Sequence, residues 1–479
     1  MTTHLTRLFA LLVCILASMH LIAQEDTAGF PVITPENVTD LELGYALPGG
    51  CAGFDPTGQY VITGYNGVHD ILTGEIHLPV TGFTGVFSPD GNTYIDSDAD
   101  TVYAFPSGEF RFTTEGSGNI FTRDGRYIIS SQDGVYDATS GEFLYEISGY
   151  VASSNTGTYF FERGTGIRET DTGNILFPYD DSVFNIVFSP DDRYFVEEGA
   201  FVYDLESNQQ LFEIDDNGYD FPAQVSFSPD SMYLAVEQDG IYTLPDGEKV
   251  FTTTDGWTAN FSSDGTVVGF ADDGIYEVGT WEKLFNIEGG LQGPYFTLDS
   301  EYVFVNEWGV YQVETGELLE IPYRYFQVSP NNDLFISSYD GIYELDTWNK
   351  LVTFETLSPS PPFASYNAEQ TVIAYQYINR EFEDSLNSAC LLYGVAGANW
   401  AYRSGLVQSD SLISAYNVPD GNEMNQISGF IVVYAQTQDN TWYKVTMGNS
   451  FEGELTPIWI RADDVTPISM PEGIPIESP

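Results

Sequence analysis

The stretch VSFSPDSMYLAVEQDGIYTLPDGEKVFT, residues 225–252, contains four short apolar segments separated by turn sequences. Segment 225–228 ends at Pro-Asp-Ser, 233–237 ends at Asp-Gly, 241–244 ends at Pro-Asp-Gly, and 249–252 completes the unit. Asp, Pro and Gly favour tight turns, and glycine tolerates the positive φ that many of them need. No helical period is present. The stretch therefore predicts one sheet of four short antiparallel strands.

The same unit recurs along the chain with a period of about 34 residues. Nine complete units begin at an apolar or small residue, namely Phe54, Phe87, Phe121, Ser153, Phe188, Phe227, Phe261, Phe296 and Val328. Fifteen or sixteen residues later most units carry a tyrosine, but one carries His69 and another carries Arg168. A lone sheet of this kind leaves two apolar faces uncovered. The units are therefore expected to stack against one another.

Two incomplete units flank the array. Segment 41–47 resembles an outer strand without its sheet, and 364–377 supplies strands without an outer partner. Radial stacking of four-stranded sheets is the β-propeller solution, and the two fragments can combine into a closing blade. We therefore predict an all-β fold dominated by a large β-propeller of about nine or ten four-stranded blades. Two smaller propellers, divided near residues 210–224, are the alternative.

Short motifs in the units resemble those of a known family. Phe-Ser-Pro-Asp-Gly at 87–91 and Val-Tyr-Asp at 202–204 resemble the WD40-like and related bacterial propeller repeats. The resemblance covers roughly residues 40–380 and implies blades of the propeller type. The Gly-His and Trp-Asp dipeptides of WD40 units are missing. The hydrogen-bond network that depends on those dipeptides is therefore not implied.

The repeat of about 34 residues ends near residue 385, and a different sequence pattern follows. Residues 398–405, Ala-Asn-Trp-Ala-Tyr-Arg-Ser-Gly, resemble the start of bacterial SH3-like domains with extra residues inserted. Segments 441–445 and 459–465 resemble later strands of that family, and 417–426 resembles an added loop. The resemblance implies a small β-barrel and binding of cell-wall peptide or glycan. An aromatic groove would include Trp400, Tyr402, Trp442 and Trp459, although the last two also suit a barrel core.

The N-terminus predicts an export signal. Residues 1–24 combine a basic start, an apolar stretch and a polar end, and no other segment is long enough to span a membrane. The predicted organisation is a signal peptide at 1–24, the propeller at 25–384, the SH3-like barrel at 385–468 and a flexible tail at 469–479. The signal peptide predicts a protein that is secreted or held in the cell envelope, and the resemblance to bacterial repeats and SH3-like domains implies a bacterial source.

The two cysteines outside the signal peptide flank the nine complete units. Cys51 precedes the first complete unit, and Cys390 follows the last. A disulfide between them would lock the ends of the array in an oxidising compartment. Two buried thiols are the alternative.

The charge is strongly negative, with 15 basic and 71 acidic residues and a net charge of −56. Acidic residues are spread through all the units. Nucleic acids and anionic lipids need clustered Lys or Arg, so this composition argues against both as partners. Cations and basic partners are favoured instead.

Loop lengths point to a working surface. The distance from the start of a unit to its last turn is 20 or 21 residues, whereas the stretch to the next unit varies from 12 to 19. The variable stretches contain the blade-to-blade loops, which emerge on one face of a propeller, and binding residues favour such loops. Carboxylates there suit Ca²⁺, and the candidate ligands are Asp180, Asp181, Asp215, Asp216 and Asp220. Candidate ligand-binding side chains in the ring are Arg168, Tyr219 and Phe221. Arg168 lies at an apolar register position, so a structural ion pair with Glu162 or Glu169 is the alternative role for it.

Catalytic motifs are absent from the sequence. There is no Gly-x-Ser-x-Gly elbow, phosphate loop or zinc-type cysteine pattern, and His69 and His77 lack metal-site spacing. The leading hypothesis is a non-catalytic binding or scaffold protein whose loops recognise an extracellular or envelope protein, a peptide or a cell-wall glycan. The SH3-like domain would add a second contact. The alternative is an extracellular propeller hydrolase or lyase, possibly metal-assisted. No cofactor other than Ca²⁺ is expected.

Overall fold

The structure is a computed structural model of the 479-residue chain. It describes residues 30–64, 67–80, 85–131, 133–180, 183–214, 223–253, 258–287, 293–305, 309–319, 326–337, 341–353, 364–378, 388–398, 400–401, 403–448, 455–471 and 474–477. The predicted signal peptide, residues 1–24, lies outside these ranges. The described part of the chain contains no helix with the length and hydropathy needed to cross a bilayer.

The chain enters the fold through a short 3-10 helix, Val38–Asp40, and strand β1, Leu41–Pro48. Nine four-stranded antiparallel sheets then follow in sequence order, and we number them blades 1 to 9. Blades 1 to 3 contain β2 (Cys51–Phe54), β3 (Tyr60–Thr63), β4 (Gly67–Asp70), β5 (Ile76–Leu78), β6 (Gly85–Phe87), β7 (Thr93–Asp96), β8 (Thr101–Ala104), β9 (Glu109–Thr113), β10 (Ser117–Phe121), β11 (Tyr127–Ser131), β12 (Gly134–Asp137) and β13 (Phe143–Glu146).

Blades 4 to 6 contain β14 (Val151–Ser153), β15 (Tyr159–Glu162), β16 (Gly166–Glu169), β17 (Ile175–Pro178), β18 (Ile186–Phe188), β19 (Tyr194–Glu197), β20 (Phe201–Asp204), β21 (Gln209–Glu213), β22 (Val225–Phe227), β23 (Tyr233–Val236), β24 (Gly240–Thr243) and β25 (Lys249–Thr252). Blades 7 to 9 contain β26 (Ala259–Phe261), β27 (Val267–Phe270), β28 (Gly274–Glu277), β29 (Lys283–Asn286), β30 (Pro294–Phe296), β31 (Tyr302–Val305), β32 (Gly309–Gln312), β33 (Leu318–Leu319), β34 (Phe326–Val328), β35 (Leu334–Ser337), β36 (Gly341–Glu344) and β37 (Lys350–Thr353).

Blade 6 matches the predicted unit to within one residue at each strand end. The turn after its first strand is held by a side chain. The Ser228 hydroxyl donates to Asp230 Oδ1 at 2.6 Å and accepts from the Tyr233 backbone N–H at 2.9 Å. The middle strands are the core, with Leu234 and Val236 fully buried. The repeated Ser-Pro-Asp motif is therefore a local turn that returns each chain segment into its own sheet.

A composite tenth blade closes the ring. Strands β38 (Ala364–Tyr366), β39 (Ile373–Ile378) and β40 (Ser388–Val395) form three of its strands, and β1 pairs antiparallel with β40 as the outermost. The prediction of a composite closing blade is confirmed, and the alternative of two smaller rings is wrong. The sequence places the start of the second domain at residue 385, but strand β40 lies beyond that point and belongs to the last blade. The propeller therefore extends to Val395.

A disulfide joins the two ends of the ring. Cys51 in β2 of blade 1 is bonded to Cys390 in β40 of blade 10, across a sequence separation of 339 residues. Their Cα atoms are 4.8 Å apart. The pair is buried in a cluster with Tyr45, Val372 and Leu392. The predicted bridge is therefore present, in place of two free thiols.

The C-terminal part forms a separate five-stranded sheet. Its strands are β41 (Gly405–Tyr416), β42 (Glu423–Gln436), β43 (Trp442–Gly448), β44 (Leu455–Arg461) and β45 (Thr466–Ser469), and a 3-10 helix spans Ala462–Asp464. Strands β41 to β44 pair in a closed cycle, in which β44 also contacts β41. Segment 417–426, expected to be an added loop, is shorter in the structure because β42 already begins at Glu423.

Residues 474–477, within the predicted flexible tail 469–479, contact this sheet. Ile474 is buried in the core of the C-terminal sheet. Gln436 donates its backbone N–H to the Pro475 carbonyl at 2.9 Å, and Lys444 pairs with Glu477 at 2.6 Å. One apolar anchor and flanking polar contacts thus hold residues 474–477 in place.

Candidate binding face of the ring

Two kinds of connection share one face of the ring. In an antiparallel four-stranded blade, the turn from the second to the third strand and the connection from the outer strand to the next blade lie at the same end. Hydrogen bonds join them, since Ile147 N–H donates to the Asp133 carbonyl at 3.0 Å and Thr253 N–H donates to the Asp239 carbonyl at 3.1 Å. We call this surface the loop face.

Most of the residues predicted to act at the loop face cannot be placed. Asp181, Asp215, Asp216, Tyr219, Asp220 and Phe221 lie outside the described residues, and so does Tyr402. Asp180 is described and is exposed. Within the described ranges, no group of three or more His, Cys, Asp or Glu side chains is arranged to hold a metal ion.

Arg168 forms a buried ion pair. Its Nε atom lies 2.7 Å from Glu162 Oε2, and the Glu162 side chain is completely buried. The other carboxylate oxygen accepts the Ser148 backbone N–H at 2.6 Å. The expectation that Glu162 or Glu169 neutralises Arg168 is confirmed for Glu162. This pairing satisfies the charge inside the blade, so the guanidinium is a structural group here.

Trp400 packs against the ring. Its ring lies edge-on to Phe30 at 4.7 Å and to Tyr45 at 4.9 Å. A Cβ atom at Gly44 would overlap the indole, so the glycine makes room for it. Trp400 therefore contacts strand β1. Trp442 and Trp459 are buried in the C-terminal sheet, as the core interpretation requires.

The residues after Trp400 extend this contact. The Ser404 hydroxyl accepts the Ala46 N–H at 2.8 Å and donates to the Ala46 carbonyl at 2.9 Å. Arg403 pairs with Glu42 at 2.6 Å. The Arg-Ser-Gly segment that marks the start of the second domain thus docks this domain on the outer strand of blade 10.

His69 is a buried core residue that occupies the position of the repeat tyrosine. Burial lowers its pKa to about 4, against a smaller opposing effect of the Gly74 backbone. The imidazole is therefore neutral at pH 7.

An open pocket lies on the loop face between blades 2 and 3. Its volume is about 510 Å³, and its lining residues are Thr113, Glu115, Asp133, Tyr136, Phe143, Glu146 and Ile147. The Tyr136 hydroxyl donates to Asp133 Oδ2 at 2.7 Å, and the Glu115 backbone N–H donates to the same oxygen at 2.9 Å. Burial and this hydrogen bond to Asp133 raise the pKa of Tyr136 above its usual range.

Two aromatic rings and three carboxylates give the pocket its chemistry. Phe143 lies edge-on to Tyr136 at 5.3 Å and is 45% exposed. Glu115 and Glu146 are exposed at the pocket. An acidic mouth with exposed aromatic surface suits an organic cation or a basic side chain.

Further exposed aromatic side chains lie on the loop face, in the connections that follow blades 3 and 4. Tyr150 is 65% exposed and Phe184 is 59% exposed. The Arg163 guanidinium stacks 3.9 Å from the centre of the Phe184 ring. Glu198 accepts the backbone N–H groups of Phe184 and Asn185, the latter at 2.9 Å. These contacts hold Phe184 in an exposed position.

The residues of the pocket were not predicted from the sequence, although one signal was present. Seven residues after the repeat tyrosine, three units carry Lys249, Lys283 and Lys350. Two units have an Asp three residues before the tyrosine but no such lysine, the second with Asp100 and the third with Asp133. A comparison of both positions across the units would have narrowed the search to blades 2 and 3.

Comparison with known proteins does not identify a family for this chain. No protein-family model matches the chain, and no curated protein matches it. Among the solved structures that match the chain, one described as "Crystal structure of the eukaryotic initiation factor" has a TM-score of 0.43 and 11% identity. The match covers 87% of this chain and 98% of that chain.

Proposed function

We propose that this protein is a non-catalytic binding or scaffold protein whose loop face recognises an extracellular or envelope partner. The observation that carries the proposal is the cluster of exposed aromatic and acidic side chains around blades 2 to 5. Tyr150 and Phe184 are large, exposed aromatic side chains on the same face of the ring as the acidic pocket. Such residues commonly anchor protein interfaces, and a rigid ring presents them without further ordering.

The charge favours a basic partner. The chain carries a net charge of −56, so a cationic protein or peptide is attracted to it over long distances. Neutral glycans also suit exposed aromatic rings, although the carboxylates favour a cationic ligand. Retention that falls as salt rises is therefore expected.

We place the protein outside the cytoplasm, in the cell envelope or secreted. The buried disulfide supports this location because such bonds persist in oxidising compartments. The apolar segment within residues 1–24 supports it as an export signal.

The C-terminal sheet would serve as a second contact module. The closed pairing of β41 to β44 supports a small barrel of the SH3-like kind. Because this module is docked on blade 10, both surfaces are held in one body, and a partner that contacts both gains affinity through effective concentration.

The test is retention of envelope proteins and of purified cell wall by the immobilised mature protein, residues 25–479, with and without Ca²⁺. We expect a basic protein or peptide to be retained by the wild type and lost from a Tyr150→Ala/Phe184→Ala variant. Leu298→Ala is the matched control, because Leu298 is 81% exposed in a turn on the opposite face. A chelator should lower retention only if the predicted acidic loops hold Ca²⁺. The proposal would be contradicted if the wild type retained no partner, or if the Leu298→Ala variant lost as much retention as the Tyr150→Ala/Phe184→Ala variant.

A further inference from the structure

The repeat contains its own ammonium-binding arrangement. In blade 6 the Lys249 ammonium pairs with Asp239 and lies 5.5 Å from the centre of the Tyr242 ring. The Tyr242 hydroxyl donates to the second oxygen of Asp239 at 2.5 Å. A carboxylate and an aromatic face thus share one lysine side chain.

Blade 7 repeats this arrangement with the same spacing. The Lys283 ammonium lies 2.5 Å from Asp273 Oδ1 and 5.2 Å from the centre of the Tyr276 ring. In blade 9, Lys350 lies 5.3 Å from the centre of the Tyr343 ring. Three blades therefore place a lysine over the repeat tyrosine, seven residues after it in the chain.

Blade 3 retains the arrangement without the lysine. Asp133 and Tyr136 occupy the positions of Asp239 and Tyr242, with the same hydroxyl-to-carboxylate bond. Phe112 stacks on Tyr136 at 5.4 Å, as Phe212 stacks on Tyr242 at 5.7 Å. The register position of the lysine is taken by Phe143, and the space beside Asp133 is the 510 Å³ pocket.

The pocket of blade 3 is lined by three carboxylates and no lysine, whereas in blades 6 and 7 a lysine of the same blade neutralises the Asp. Glu115 and Glu146 join Asp133, and no ion pair to any of the three occurs within the described ranges. Like charges so close together repel one another, and an added cation relieves the repulsion. The lysine ammonium bound by the same Asp and Tyr positions in blades 6 and 7 shows which cation this geometry accepts.

We propose that the pocket between blades 2 and 3 binds a primary alkylammonium group from outside the chain, the ε-ammonium of a lysine on the basic partner. Asp133 accepts the ammonium hydrogens, Tyr136 and Phe143 contact the methylene stem, and Glu115 and Glu146 attract the charge at the mouth. The inference deepens the proposed binding function and rests on it for the source of the lysine. A free diamine shares the chemistry, and the experiment separates the two sources.

The probes are Nα-acetyl-lysine methylamide, the norleucine analogue that lacks only the ammonium, and 1,5-diaminopentane. Binding to the mature protein is measured by ligand-observed NMR titration. We expect the lysine probe to bind at least about 10-fold more tightly than norleucine, as one charge-assisted hydrogen bond provides. Equal binding of lysine and norleucine would overturn the proposal. Tighter binding of the diamine than of the lysine probe would overturn the assignment to a protein lysine.

Phe143→Lys is the decisive variant, because it supplies the ammonium from within as in blades 6 and 7. We expect it to fold with an unchanged or higher melting temperature and to lose binding of the lysine probe by about 10-fold or more. Asp133→Asn should weaken binding to a similar extent. Asp239→Asn is the matched control, since the same change in blade 6 affects a site already filled by Lys249.

The outcomes separate this inference from the proposed function. If a folded Phe143→Lys variant binds the lysine probe as tightly as the wild type does, the proposed ammonium site is wrong. If the wild type and this variant retain a partner equally well, the pocket is not the site that binds the partner's lysine. The proposed binding function would still hold in that case. Binding of the lysine probe by a protein that retains no envelope partner would support the pocket and contradict the proposed function.

Discussion

At the scale of single residues, two units depart from the repeat tyrosine in different ways. Arg168 brings a charge into the blade and is neutralised by the buried carboxylate of Glu162. His69 brings a titratable ring, and burial keeps it neutral. The same core position therefore tolerates a charge only when its partner is supplied by the neighbouring strand of that blade.

Replacement of Glu162 by glutamine should destabilise the protein. Glu162→Gln keeps the shape but leaves Arg168, whose side chain is 16% exposed, without its counter-charge. We expect a loss of about 3 kcal/mol in the free energy of unfolding, measured by urea denaturation. Asp171→Asn is the control, because its ion pair with Arg126 is more than half exposed and should contribute less than about 1 kcal/mol. Equal effects of the two changes would contradict this prediction.

His69 should make stability depend on pH. Its pKa is about 4 in the folded protein and about 6.5 when unfolded, so the unfolded chain binds more protons between these values. The contribution of the neutral imidazole is complete above pH 7 and is lost as pH falls toward 4. In a His69→Tyr variant, which restores the repeat residue, the difference in unfolding free energy from wild type should change by roughly 3 kcal/mol across this range.

Urea denaturation of both proteins at each pH checks the prediction, because the carboxylates shared by the two proteins cancel in the difference. A difference that does not vary between pH 4 and 7 would show that His69 is not responsible.

At the scale of elements, most blades depend on two turns with different causes. In blades 2, 3 and 5 to 9 the turn after the first strand is held by a Ser or Thr hydroxyl that donates to an Asp. Partial burial would raise the pKa of Asp264, but hydrogen bonds from Ser262 and Thr266 outweigh this effect and lower it. In blade 6 the turn after the second strand needs glycine. Gly240 has φ +148°, and a Cβ atom there would meet the Phe251 carbonyl oxygen.

Gly240→Ala should therefore be costly. Both the backbone conformation and the contact with Phe251 oppose a methyl group, and we expect a loss of about 3 kcal/mol or more in unfolding free energy. Gly279→Ala separates the two effects, because Gly279 has φ +93° but open space around its Cβ position. The Gly279→Ala variant should lose about 1 kcal/mol in unfolding free energy. Urea denaturation measures both, and a Gly240→Ala loss no larger than that of the control would exclude the clash.

At the scale of the whole molecule, closure of the ring depends on contacts between its two ends. Strand β1 supplies the outermost strand of blade 10, and the disulfide ties blade 1 to blade 10. The C-terminal sheet then covers β1 through Trp400, Arg403 and Ser404. A ring without free blade ends can hold its loop face rigid.

A Cys51→Ser/Cys390→Ser variant should be less stable than the oxidised protein. The crosslink closes a 339-residue loop, so its removal restores much conformational freedom to the unfolded chain. We expect a loss of about 3 to 5 kcal/mol, seen as a lower urea midpoint. A reducing agent should lower the midpoint of the wild type to that of the variant and leave the variant unchanged. Equal midpoints for the oxidised wild type and the variant would contradict this role.

Much of the architecture follows from local patterns along the chain. The strands of blade 6 and the turn at Ser228 and Asp230 depend on neighbours within a few residues, so the repeat predicts them to within a residue. The composite blade was predictable because fragments at both ends lacked the strands that the other units have. The partner of Arg168 was predictable because Glu162 lies in the adjacent strand of the same blade.

The sequence by itself thus determined the four-stranded unit, the ring and the means of closing it, because these depend on short-range periodicity and turn chemistry. Only the tertiary structure decided that Trp400 supports the ring, that β40 belongs to the last blade, and that a pocket exists beside Asp133. Those features arise where residues of different blades or domains meet. Their contacts depend on how the whole ring packs, and no local pattern specifies them.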